Sequence, residues 1–354
     1  MNIKKLAAVL AASVISVTAV TVTAFAAGTK VPITEKYFPD NNFRKYVAEN
    51  FDTDENGYLS QKERDAVTEI NVDRMKITSL TGISYFQNLE ELSCQSNKFT
   101  TLDLSKNTKL TTLLCAYNEL TKLDISKNTK LKSLYCNINE LTELDVSKNI
   151  ELETLDCGRN SLTGLDVTKN TKLEKLRCGS NPLKKLNISK NTKLVQLYCY
   201  QNKLTKLTVS KNTKLEDLIC SGNELTELDV TKNKKLEAID CSENKLTSLD
   251  VTQNTKLNKL WCSENKLPEL DISKNINLKD LDCMKNKITS LDVTQNTELE
   301  WLVCYNNRLT KLDVSQNTKL EALYCSNNKL TKLDLSKNTE ISLLQCDENV
   351  KIIK

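Results

Sequence analysis

Histidine is missing altogether from this 354-residue chain. Without an imidazole there is no Ser–His–Asp or Cys–His hydrolase and no His-ligated zinc enzyme. Glycine and proline are scarce, at 7 and 4 residues, and aromatic residues make up only 5%. So few glycines leave no glycine-rich phosphate loop. Past residue 26 no apolar run is long enough to cross a bilayer. The net charge is only +4 with 27% charged residues, which implies neither nucleic-acid binding nor an acidic tail.

Residues 1–26 read as a secretory signal peptide. Lys4 and Lys5 provide the charged start, Leu6 to Ala19 the apolar stretch, and Ala24-Phe25-Ala26 a small-x-small cleavage site. An uncleaved anchor is the alternative, disfavoured by the Ser and Thr content and the Ala-x-Ala site. The expectation is an exported monomer with no membrane span after cleavage, secreted or held at the cell surface.

Thirteen cysteines, from Cys94 to Cys346, follow one another at intervals of 21 residues, and no cysteine lies elsewhere. A fixed period of this size is the signature of a solenoid. The unit is L-x-x-L-x-C-x-x-N-x-L-T-x-L-D-[VIL]-[ST]-[KQ]-N-x-x, as in residues 110–130. Asn stands three residues after every Cys, from Asn97 to Asn349, and a second Asn recurs from Asn107 to Asn338. Alternation around the cysteine points Leu113 and Cys115 inward and Leu114 outward, as on a strand. Coils stacked about 4.8 Å apart then build a parallel sheet roughly 60 Å long. Each Asn sits at a turn, where its amide can bond the backbone of a neighbouring coil. The L-T-x-L-D-V-S segment repeats the strand-like pattern, so a second strand is expected on the opposite side. The uniform Asp of that segment, replaced only at Asn187 and Thr208, is expected to form ladders between coils.

This pattern resembles the leucine-rich repeats of the internalin-like class of secreted bacterial proteins, in the 21-residue form with Cys in the strand. The resemblance covers roughly residues 70–354. It implies a non-enzymatic binding protein with a small helical cap before the repeats. The anchor or additional modules that internalins carry after their repeats are not visible.

The cysteines share the inward parity and have neither His partners nor C-x-x-C spacing, so they are expected to be free, buried thiols. A metal or redox ladder is the competing reading. Neighbouring cysteines come within disulfide reach at strand spacing, but parallel side chains disfavour the bond geometry.

Residues 27–76 do not fit the repeat and form the candidate helical cap, 77–349 the solenoid of about 13 units, and 350–354 a terminal strand. Phe43, Tyr46, Val47 and Phe51 have helical spacing over Asn41–Phe51. Then comes D-x-D-x-N-G-x-L-S-x-x-E, which fits an EF-hand calcium loop without mismatch. By that motif Asp52, Asp54 and Asn56 give side-chain oxygens and Tyr58 its carbonyl. Ser60 acts directly or through water, and Glu63 closes the site bidentately. Ser60 and Glu63 also form a capping box for a helix expected over 61–69, which explains those two residues without metal but not the Asp-x-Asp-x-Asn-Gly run. One calcium ion is expected, as a structural clamp.

Sequence variation concentrates in the strand half of the repeat. Past Phe99 all eight aromatic residues lie there, none at a Leu or Cys core position. Tyr135, Tyr198, Tyr200, Trp261, Trp301, Tyr305 and Tyr324 are the candidate binding face, because Tyr and Trp carry recognition surfaces. Plain β-propensity explains aromatics on strands, but less well their absence from the other half. A protein ligand, through host or surface adhesion, is the leading reading. A carbohydrate on spaced aromatic platforms is the alternative, and an enzyme or a purely structural scaffold comes behind.

Overall fold

The structure is a computed structural model describing residues 30–354. The signal-peptide reading of 1–26 lies outside the described residues. The chain starts with strand β1 (Val31–Pro32), helix α1 (Asn41–Phe51), strand β2 (Tyr58–Leu59) and helix α2 (Gln61–Ala66). Strand β3 (Glu69–Asn71) then opens a 14-stranded parallel sheet in which the strands follow in chain order up to Leu343–Gln345. The sheet therefore begins with a degenerate first coil that carries no Cys, its Ile70 paired with Leu92 as the strand-like placing of Ile70 and Val72 in the sequence leads one to expect.

Each coil contributes three strand residues. The central one (Leu113, Leu134, Leu155 and their equivalents) is buried and pairs with the same residue of the next coil. The following Cys, the Leu residues of the turns and the Val or Ile after each Asp complete one continuous apolar core. No coil could bury these rows alone, and stacking removes nearly all of them from water.

The fold is the repeat solenoid expected, with one difference. A continuous strand ladder lies on one side of the coil, not on both. On the other side, among the described residues, only Lys332–Asp334 and the terminal Lys351–Ile353 pair. Elsewhere Asp turns its carboxylate onto its own coil: Oδ1 of Asp103, Asp124 and Asp145 accepts the N–H two residues on, at 2.9, 2.9 and 2.8 Å. This Asx turn satisfies locally a backbone N–H at the bend of each coil. The Asp row thus shapes turns within coils and does not form the inter-coil ladder anticipated.

The coils are tied together by Asn. Asn118 donates through Nδ2 to the carbonyls of Cys94 (3.0 Å) and Cys115 (3.1 Å), and its Oδ1 accepts the N–H of Phe99 (3.2 Å). It reaches back to the preceding coil, and the pattern recurs to Asn328. The second row ties coils by donation alone: Asn128 Nδ2 donates to the Leu104 (3.1 Å) and Asn107 (2.9 Å) carbonyls, while its buried Oδ1 accepts no hydrogen bond.

The cap closes one end of the core. Phe38, Phe43 and Val47 are fully buried, and Phe51 stacks on Phe86 of the first loop at 5.1 Å between ring centres. Asp40 caps α1 by accepting from Asn42 and Phe43, and its other oxygen accepts from Thr78 N–H and Oγ1. Helix α2 stops at Ala66, earlier than expected from sequence, because Val67 turns extended and the chain enters β3. Among the described residues no helix is long and apolar enough to cross a membrane.

Candidate functional site: the strand face and the cap loop

The loop between α1 and β2 folds on itself through Asp52. Its two carboxylate oxygens accept from Asn56 N–H (3.1 Å) and Gly57 N–H (2.8 Å), while Asn56 Oδ1 accepts from Tyr58 N–H (2.9 Å). Gly57 has φ +78°, a left-handed conformation that a side chain would strain. Helix α2 brings Glu63 back to the loop, 8% exposed, so that one carboxylate oxygen each of Asp52, Asp54 and Glu63 lies within 4.8 Å of the others. Glu63 accepts from Thr53 N–H and Oγ1 and from Ser60 N–H, all at 2.8 Å. Burial would raise its pKa, but these bonds prevail and hold it down to about 2. The three convergent carboxylates of Asp52, Asp54 and Glu63 are hard oxygen groups of the kind calcium takes, while Asn56 Oδ1 and Ser60 Oγ accept from Tyr58 and Glu63 N–H. Strand β1 pairs antiparallel with β2, with Val31 opposite Leu59, and Ile33 N–H donates to Gly57 O at 3.0 Å. The outer edge of this single loop is therefore closed by the chain's own upstream segment.

On the sheet, register aligns the outward residues into columns. Tyr135, Asp156, Arg177 and Tyr198 are successive neighbours in one column, which continues through Ile219, Asp240, Trp261, Asp282 and Val303 to Tyr324. Tyr135, Tyr198, Trp261 and Tyr324 are half-buried. Trp301 lies in the adjacent column, 40% exposed. Tyr200 and Tyr305, half-buried, occupy the position after the cysteine. All seven therefore share one face, spread over its length.

Residues that the sequence reading did not single out join them. Tyr117 is 53% exposed on the same side. The Arg177 guanidinium lies 5.2 Å from the Tyr198 ring centre, and Lys259 lies 5.9 Å from that of Trp261. Gly158 and Gly179 occupy the position after the cysteine in adjacent coils and leave the backbone bare. The Tyr200 ring folds onto Gly179 so closely that a Cβ there would stand 2.5 Å from Tyr200 Cε1. Burial raises the Asp156 and Asp282 carboxyls above the usual range. The two glycines side by side in the sequence repeat were the signal that could have pointed to this part of the face.

All thirteen cysteines are free thiols; twelve are buried, and Cys346 in the last coil is partly exposed. Burial pushes the Cys115 and Cys199 thiols up to about 12, so they stay protonated and unreactive.

A scan of protein-family models matches none. Internalin J of Listeria monocytogenes serotype 4b is 40% identical over 72 residues, which is 20% of this chain and 8% of that protein's length. The solved functional domain of InlJ from Listeria monocytogenes, described as including a cysteine ladder, is 40% identical. The match covers 92% of this chain and 77% of that domain with a TM-score of 0.81. The internalin InlF of the same species has the same fold, at 23% identity over 90% of this chain and 98% of its own, with a TM-score of 0.80. A repeat solenoid with one parallel sheet face and a helical cap defines a leucine-rich-repeat protein. With this likeness to the InlJ domain, the chain belongs to the internalin family.

Proposed function

We propose that this chain is an exported, non-enzymatic binding protein that takes a protein ligand on its strand face, as in adhesion to a host or cell surface. One observation carries the reading. Every aromatic side chain past Phe99 emerges on the strand side of the coil, where neighbouring residues share no common chemistry, while the other side repeats one turn almost unchanged. Uniformity serves the stack; variety of this kind serves recognition. A sheet face roughly 60 Å long exceeds the ~800 Å² per partner that a standard interface needs. The fold has a precedent in this use: the plant receptor RGFR1, 21% identical, was solved in complex with RGF2.

A carbohydrate ligand is the second reading. Tyr135, Tyr198, Trp261 and Tyr324 recur every three coils, about 14 Å apart, a spacing suited to an extended polymer. A screen of residues 27–354 against host proteins, bacterial surfaces and glycans, with calcium present, separates the two. The fourfold substitution Tyr198→Ala, Tyr200→Ala, Trp301→Ala, Tyr305→Ala is expected to abolish the hit. A hit retained by it moves the site off the strand face.

In the cap, Asp52, Asp54, Asn56, Tyr58, Ser60 and Glu63 are proposed to hold one calcium ion. The ion would neutralise three crowded carboxylates and clamp the loop to α2. Glu63→Gln should remove both calcium binding by isothermal titration and any rise of the thermal midpoint with calcium. A midpoint of the unaltered chain indifferent to chelator would sink the clamp.

A further inference from the structure

We infer that Arg177 is the anchor of a carboxylate-reading subsite on the strand face, which seats an acidic side chain of a protein partner between Tyr198 and Tyr200. This rests on the strand-face reading above. Between the coils of Cys136 and Cys199 the face is not flat. Gly158 and Gly179 carry no side chain there, and an open hollow of about 240 Å³ is lined by Tyr117, Tyr198 and Tyr200 together with Arg159, Arg177 and one acid, Asp156.

The electrostatics of this hollow are incomplete. Arg177 Nε is buried with no hydrogen-bond partner. Its Nη2 makes only a long bond to Gln196 Oε1, at 3.4 Å. The nearest acid in register, Asp156, does not complete it: Asp156 Oδ1 is turned onto Gly158 N–H at 3.1 Å, and among the described residues no ion pair within 4.0 Å includes Arg177. Burial raises the Asp156 carboxyl, and Arg177 offsets that rise only in part, by its charge. A buried guanidinium donor without an acceptor is costly. A carboxylate arriving from solvent can pair with the open Nη end of the half-buried guanidinium. The Tyr198 ring centre already lies 5.2 Å from the guanidinium carbon, so little order is lost on binding. The tyrosine walls exclude water around the pair and supply apolar contact for the residues flanking the acid, as in interface hot spots.

The test uses the full chain as bait for a phage-displayed library of random 12-residue peptides. The expected result is enriched peptides sharing one Asp or Glu flanked by apolar residues. Their binding should weaken about tenfold or more in Arg177→Gln. It should weaken likewise in Gly179→Ala, which displaces the Tyr200 ring without touching the charge. Lys206→Ala, on the opposite side of the coil, should leave it unchanged. Circular dichroism and thermal melting establish that the variants are folded. Peptides lacking a common acid, or indifferent to Arg177→Gln yet lost with Trp261→Ala, overturn the subsite while the strand-face reading stands. Peptides indifferent to every strand-face variant overturn both. Capture of an acidic glycan through Arg177 with no peptide enriched, or no enrichment at all, overturns the protein occupant.

Discussion

At the scale of single residues the most demanding position is the Asn three after each cysteine. Asn223 serves four backbone groups at once: it donates to Cys199, Cys220 and Ser221 carbonyls at 3.0, 3.0 and 3.3 Å and accepts from Leu204 N–H at 3.0 Å. A shorter side chain would leave these groups buried and unpaired, at about 1–3 kcal/mol for each one stranded. Asn223→Ala is therefore expected to destabilise the chain by at least about 2 kcal/mol, read as a lower urea midpoint. A change under 0.5 kcal/mol would mean the Asn row is dispensable. The residue two after the cysteine is left-handed in coil after coil, as at Ser96 (φ 54°), Tyr117 (φ 57°) and Arg159 (φ 52°), while a glycine stands there only at Gly222. Stacking imposes this conformation against local preference.

At the scale of elements the cap and the first coil depend on one carboxylate. Asp40 caps α1 and holds Thr78, 38 residues away, through both its N–H (2.8 Å) and hydroxyl (3.0 Å). Asp40→Ala should cost about 1–2 kcal/mol by loss of the cap alone. The loss should appear as earlier exchange of α1 amides, with the mid-solenoid strands still protected. Uniform loss of protection would show instead that cap and coils melt as one unit. The cap itself was partly legible: helical spacing gave α1, and the Asp-x-Asp-x-Asn-Gly run gave the loop. The pairing of Val31–Pro32 with Tyr58–Leu59 was not, since two-residue strands carry no periodicity and their contact spans the whole cap.

At the scale of the whole molecule, stability accumulates from near-identical coil interfaces. Lys–Glu pairs one repeat apart cross the coils, such as Lys172–Glu151 and Lys319–Glu298, both at 2.6 Å, but exposure and salt leave each worth little. The Asp turns share the response to acid with Glu63 and Asp40 of the cap, whose carboxyls are also held down. Hydrogen bonds from Ser or Thr two residues on hold Asp124, Asp145, Asp166, Asp229, Asp271, Asp292, Asp313 and Asp334 below the usual carboxylate value. A folded-state pKa below the unfolded one adds stability that is complete above the unfolded value and is lost as pH falls through the folded one. Asp156 and Asp282 act in the opposite sense, since burial raises them. With Asp40, Glu63, Glu224 and Glu298 also lowered, the lowered carboxyls outnumber the raised pair, so the thermal midpoint should fall between pH 5 and pH 3, steepest below about pH 4. A midpoint that rises on acidification would contradict the turn role of the Asp row.

The sequence by itself determined the period, the inward Leu and Cys rows, the two Asn rows and the side on which variety lies, because each is a local pattern copied many times and stacking copies it without change. Only the tertiary structure decided that the Asp segments turn within their own coils and pair only at Lys332–Asp334, where Leu335 N–H reaches Ile353 O while Asp334 keeps its turn onto Ser336 N–H. It also decided what meets across the face. Arg177 over Tyr198, and Tyr200 folded onto the bare backbone of Gly179, join residues of different coils whose side-chain directions no single repeat specifies.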